Sequence, residues 1–157
     1  MAERTTQGDV DEDVDIFMRA ARVISAIVAE SVAKTGDAVS MPQLRVLVLV
    51  ASRPEVNASA VAASLGIHLS NASRLCDRLV GAKLLDRRES TLDRRNLVLT
   101  LTPAGSRLIA SIMEHRRSAF RTILRQMAPE RRAALSDALR EFAEAAGEPP
   151  ERYLLLP

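Results

Sequence analysis

The sequence predicts a mainly α-helical chain carrying one small two-stranded hairpin, and three observations lead to that class. Apolar residues recur every three or four positions along most of the chain, and a clear period of two is confined to Leu97, Leu99 and Leu101. Four of the 157 residues are aromatic and none is Trp, so a core must come from aliphatic side chains on packed helices. Helix-starting residues stand where the periodic runs begin: Ser40, Asn57, and Thr102 followed by Pro103.

Taken in order, residues 1–12 are polar, acidic and aperiodic, and are expected to form a disordered tail. From Asp13 to about Ala33, Val14, Phe17, Ala21, Ile24 and Val28 repeat at helical spacing, with acids in the first turn where the helix dipole favours them, and Gly36 follows the end. Ser40 caps a second, largely buried helix from Met41 to about Ser52, stopped by Pro54. Asn57 caps a short helix, Ala58 to Ser64, and Gly66 supplies the turn into another, about Leu69 to Val80. Leu84 to Glu89 and Asn96 to Thr102 follow as short strands, the second alternating as a half-buried strand should. Thr102 with Pro103 then opens a helix to about Met127, and Pro129 opens a last one to about Ala146. The long helices carry apolar stripes, and Leu154, Leu155 and Leu156 follow in the tail; a small domain cannot cover all of these alone, so a second copy is expected.

Composition excludes several classes of function. No apolar run approaches the roughly 20 residues of a membrane span, and the acidic start lacks the regions of a signal peptide, so the expected setting is the cytoplasm without membrane contact. The single cysteine excludes an internal disulfide and a multi-cysteine zinc site, and His68 and His115 stand far apart with no ligand pattern around them. The sequence lacks GxSxG, HExxH and a phosphate-cradling glycine loop, so neither an enzyme nor a cofactor is expected. The net charge of +2 is unevenly spread: residues 1–16 hold six acids against Arg4, which is −5, leaving 2 + 5 = +7 for the rest. Residues 68–96 hold seven Lys/Arg against four Asp/Glu, a local +3.

That basic segment contains a helix with two unlike faces. At about 100° per residue, with Ser70 at zero, Ala72, Leu75, Cys76 and Leu79 fall between about 140° and 240°. Ser70, Asn71, Ser73, Arg74, Asp77 and Arg78 fall opposite, which makes one face core and the other a set of groups able to read base edges or bind phosphates. Asn suits adenine and Arg suits guanine, and Asp77 is expected to orient Arg74 or another nearby Arg rather than meet phosphates itself. Cys76 lies on the core side, beside Ala72 and Leu79, which gives it a structural role.

Several separated stretches resemble the MarR family, the multiple-antibiotic-resistance regulators. Ser40 to Gln43 is similar to the LTxxQ start of the family's second helix, Val61-Ala62 with Leu65-Gly66 to its helix-turn-helix opening, and SRLCDRLV to its recognition helix. Asp93-Arg94-Arg95 resembles the wing signature, and Leu101-Thr102-Pro103-Ala104-Gly105 the exit into the long dimerisation helix. Two positions depart: Lys83 stands where the family usually has Gly before the first wing strand, and Cys76 replaces a large aliphatic residue.

The resemblance implies a winged helix-turn-helix DNA-binding domain at 36–102 with a two-stranded β wing, between helical dimerisation regions at 13–35 and 103–157. It implies a homodimeric DNA-binding transcription regulator, acting as a repressor on a pseudo-palindromic operator in double-stranded DNA. Ser70, Asn71, Ser73, Arg74 and Arg78 would enter the major groove. Arg94 or Arg95 would enter the minor groove with Asp93 holding the loop, Asn57 and Ser59 would meet phosphates, and Arg87 and Arg88 would be phosphate contacts or structural partners rather than base readers. A small aromatic or anionic ligand would bind between the dimer helices and the DNA domain, with Phe17, Arg22, Arg45 and His115 as its candidate contacts. Two alternatives remain: a winged-helix module that binds protein without DNA, which salt-dependent DNA binding would separate, and a thiol sensor, which would need a reactive Cys76.

Overall fold

The structure is a computed structural model and describes residues 3–92 and 96–147. The proposed wing-tip residues Asp93, Arg94 and Arg95, and the C-terminal leucines, lie outside the described residues.

Eight elements follow one another: α1 (Glu3–Ala33), α2 (Met41–Ser52), α3 (Ala58–Leu65), α4 (Leu69–Gly81), β1 (Leu85–Glu89), β2 (Leu97–Leu101), α5 (Pro103–Leu124) and α6 (Pro129–Ala145), with a 3-10 turn at Gly36–Ala38. α1 begins at Glu3, ten residues before the expected start, so the acidic segment expected to be irregular is helical. With the helix starting at Glu3, only Glu3 among the acids of this segment lies in the first turn, where the dipole favours it. α5 stops at Leu124, three residues short of the expected Met127, and closes through a bond from Arg125 N to Arg121 O.

The caps explain where helices begin. Ser40 forms a reciprocal capping box, its Oγ accepting from Gln43 N at 3.5 Å while Gln43 Oε1 accepts from Ser40 N at 2.8 Å. Asn57 Oδ1 accepts from Ala60 N at 2.9 Å, and Thr102 Oγ1 from Gly105 N at 3.0 Å. Gly66, with φ 66°, takes the left-handed conformation that ends α3 and turns the chain into α4.

The core gathers around α2, whose Leu44, Val46, Leu47, Leu49 and Val50 are all buried. Val61 of α3, Ala72, Cys76 and Leu79 of α4, Leu85 and Leu99 of the hairpin, and Ile109 and Ile112 of α5 complete it. β1 and β2 pair antiparallel with Leu85 opposite Leu101 and Glu89 opposite Leu97. The expected alternation holds at Leu99, which is buried, and fails at Leu97, which is 57% exposed at the far end of the hairpin. Val98 is buried as well. A third backbone segment joins the hairpin, because Leu99 N donates to Val56 O at 2.7 Å.

The two outer helices are covered unequally. The C-terminal part of α1 meets α5: Ser31, 1% exposed, accepts from Arg116 Nε at 2.8 Å and donates to Val28 O at 2.6 Å. Burial lowers the Arg116 guanidinium from its ordinary value. Further towards its start, α1 leaves Val14, Ile16, Met18, Val23 and Ile24 exposed, and Phe17 lies against Phe142 of α6 with ring centroids 4.6 Å apart. α6 has no fully buried residue. Among the described residues no helix is long and apolar enough to cross a membrane.

Candidate nucleic-acid interface

The segregation expected of α4 is present in three dimensions. Ala72, Cys76 and Leu79 are at most 1% exposed, whereas Ser70, Asn71, Arg74, Asp77 and Arg78 are exposed and Ser73 is half-buried. Buried contacts therefore fix the rotation of the helix about its axis, and the polar face projects outward as a consequence. The helix is anchored at its start by His68, whose carbonyl accepts from Asn71 N at 3.0 Å and Ala72 N at 3.1 Å.

Its C-terminal end is shaped by Lys83, where the family usually has Gly. Lys83 N donates to Val80 O at 2.9 Å and Leu84 N to Leu79 O at 3.0 Å, the paired bonds of a Schellman motif. Lys83 sits at φ 57°, in the left-handed region that glycine occupies at least cost, so the turn survives without its usual residue. Gly81, two positions earlier, is helical and open to solvent, and does not replace it.

Asp77 pairs with Arg87 on β1, tying the exposed face of α4 to the first strand of the hairpin. The acid thus orients a neighbouring Arg, as expected for Asp77, and Arg87 has a structural partner rather than a free guanidinium. Arg88 is exposed on the same strand, opposite Val98. Asn57 is engaged as a cap through Oδ1, and Ser59 is exposed in the first turn of α3.

Of the four candidate ligand contacts, Phe17 and Arg22 lie on α1, Arg45 on α2 and His115 on α5. Phe17 packs on Phe142, and Arg22 is exposed on α1. His115 lies on α5, with Nδ1 3.4 Å from Lys34 Nζ and Nε2 3.7 Å from Glu30 Oε1. Hydrogen bonding and charge from Lys34 hold the Glu30 carboxyl below its ordinary value. Arg45 instead stands with side chains of α4: together with Pro42, Leu65, Ile67, Asn71, Arg74, Leu75 and Arg78 it lines an open cleft of about 410 Å³. Among the described residues Arg45, Arg74 and Arg78 make no ion pair. The Cys76 thiol is buried, and burial pushes its pKa up, away from the thiolate that reactivity requires.

Sequence reasoning missed Glu55. Its Oε1 accepts from Thr91 N at 3.2 Å and Thr91 Oγ1 at 2.8 Å, joining the loop before α3 to the hairpin. No periodicity or motif marks a contact between residues so far apart in the chain.

An exposed hydrogen-bonding helix beside a hairpin is the geometry of a winged helix-turn-helix, and similarity to known proteins agrees. The sequence profile of the MarR family matches residues 39–96. YfiV of Bacillus subtilis, described as an uncharacterised HTH-type transcriptional regulator, is 30% identical over 106 residues, spanning 68% of this chain and 66% of that protein. The crystal structure of RV1404 from Mycobacterium tuberculosis is similar over 91% of this chain and 97% of that one, at 39% identity and a TM-score of 0.79. The chain belongs to the MarR family. A MarR family protein from Bacillus stearothermophilus, 18% identical, shares the fold over 94% of this chain and 99% of its own with a TM-score of 0.78. As a MarR family member the chain is an HTH-type transcriptional regulator, with α3 and α4 as its helix-turn-helix and β1–β2 as its wing.

Proposed function

We propose that this MarR regulator is a cytoplasmic homodimeric repressor that grips a pseudo-palindromic operator in double-stranded DNA. The observation that carries the reading is the face of α4. Asn71, Arg74 and Arg78 are exposed together on a helix whose other side is locked into the core, and neither Arg is committed to an ion pair among the described residues. Such a helix suits the major groove, where Arg pairs with guanine and Asn with adenine. Asp93, Arg94 and Arg95 are proposed for the minor groove, and Arg88, Asn57 and Ser59 for phosphates.

The dimer is supported by the apolar surface left on α1, together with Ile123, Leu139 and Phe142. A two-fold axis would set two α4 helices about one DNA turn, roughly 34 Å, apart. Release by a small aromatic or anionic molecule, held between the dimer helices and the DNA domain, belongs to the same reading. Selection of bound duplexes from random DNA tests the proposal directly. A two-fold motif bound with a steep salt dependence is expected, and recovery of no duplex would overturn it.

A further inference from the structure

We propose that Glu55 is a positioning residue for the wing: its carboxylate fastens the turn of the β1–β2 hairpin to the start of α3, so that hairpin and helix-turn-helix meet DNA as one body. The proposal rests on the DNA-binding reading given above.

Three consecutive residues make the connection, each to a different element. Glu55 Oε1 takes both the backbone N–H and the hydroxyl of Thr91. Val56, buried, gives its carbonyl to Leu99 N of β2. Asn57 turns the other way and caps α3 through Ala60 N. A hairpin of two five-residue strands is weak by itself and gains rigidity only from what it is fastened to. Here the strand contact of Val56 holds its middle and Glu55 holds its turn, where Leu92 N also donates to Ser90 Oγ at 3.1 Å.

The backbone supplies a second observation. Glu55 lies at φ 57°, in the left-handed region that disfavours any residue with a Cβ. An acidic side chain is neither the sterically easiest choice there nor needed for the core. Strain of this sort persists where surrounding contacts hold it, and the hydrogen bonds of the Glu55 carboxylate run to the hairpin. Hydrogen bonds from Ser90 and Thr91 also hold the carboxyl below its ordinary value, so it is ionised, and its bonds are charge-assisted, throughout the neutral range.

Glycine at this position separates a wing-positioning role from general support of the fold. Glu55→Gly removes the carboxylate and relieves the left-handed backbone in one change, whereas Glu55→Gln keeps an oxygen able to accept from Thr91. The full-length proteins are compared by thermal unfolding, by hydrogen exchange at the Thr91 amide, and by affinity for a duplex selected by the unmutated protein. The glycine variant is expected to melt at or near the unmutated temperature, to lose protection at Thr91, and to bind the duplex about three- to tenfold more weakly, because a loosened hairpin must be ordered on binding. The glutamine variant should stay within about twofold of the unmutated affinity. Unchanged exchange and unchanged affinity in Glu55→Gly would overturn the proposal, as would affinity loss that merely follows a fall in melting temperature. If the unmutated protein selects no duplex, the DNA-binding reading falls instead, and exchange at Thr91 still decides whether Glu55 holds the hairpin.

Discussion

Gly105 of α5 stands directly against the carbonyl oxygen of Leu84, so close that a Cβ at position 105 would collide with it. The same carbonyl accepts from Thr102 N at 3.1 Å, and Thr102 Oγ1 reaches Lys83 O at 2.7 Å. The start of α5 and the start of β1 are therefore in backbone contact. Gly105→Ala should cost about 1–3 kcal/mol, the scale of overpacking a tight site, because the obstacle is backbone and cannot rotate away. Denaturant unfolding measures this, and an unchanged midpoint would show that the junction is looser than described.

Lys83→Gly should have the opposite sign. The left-handed conformation costs a residue with a Cβ roughly 1–2 kcal/mol, and part of that relief is returned through the greater freedom of Gly in the unfolded chain. The net expectation is a gain of about 0.5–1 kcal/mol, read as a higher denaturation midpoint at constant slope. A loss would mean that the Lys83 side chain makes a compensating contact.

Asn71→Ala and Arg74→Ala should relax discrimination at particular base pairs, with each lost bidentate contact worth roughly 1–3 kcal/mol. Affinities for single-base operator variants supply the measurement. A uniform fall across all sequences, with a salt slope reduced by about one, would assign the residue to phosphate instead.

Two substitutions to Asp separate the dimer surface from the core. Ile24 is 41% exposed on α1, so Ile24→Asp should divide a dimer while leaving folded subunits near 17.1 kDa. Ile112, although on the long helix, is 1% exposed within the chain's own core, and Ile112→Asp should unfold the subunit by burying an unpaired carboxylate. Sedimentation with circular dichroism distinguishes the two outcomes. An unmutated protein that sediments as a 17.1 kDa species would overturn the dimer.

Cys76 should resist a thiol reagent in the native protein and label about a hundredfold faster or more once unfolded, since burial both blocks access and raises its pKa. Rapid labelling of the folded protein would reopen the thiol-sensor alternative.

What could be read from the sequence was mostly local. Ser40, Asn57 and Thr102 cap their helices as expected because a cap depends on residues three positions away. The faces of α4 followed from its angular pattern because that helix has one covered side. Ile112 belongs to an apolar stripe that serves two surfaces, and periodicity does not say which of them faces the core and which is left open. The helical start of α1 was hidden because its polar, acidic and aperiodic residues are also those of an irregular tail. Glu55 and Thr91 are joined across 36 positions, and the left-handed backbone that aims the carboxylate has no signature in residue type.

The direct passage from β2 into α5 at Thr102 turns the long helix into a lever. Its 22 residues span about 33 Å at 1.5 Å per residue, and the short arm at its start is fixed to the hairpin by backbone atoms. A tilt of about 5° would displace one end relative to the other by roughly 3 Å over that length. In the proposed dimer, angular play between the far ends of the two helices would reach the wings as a translation comparable to the length of a hydrogen bond.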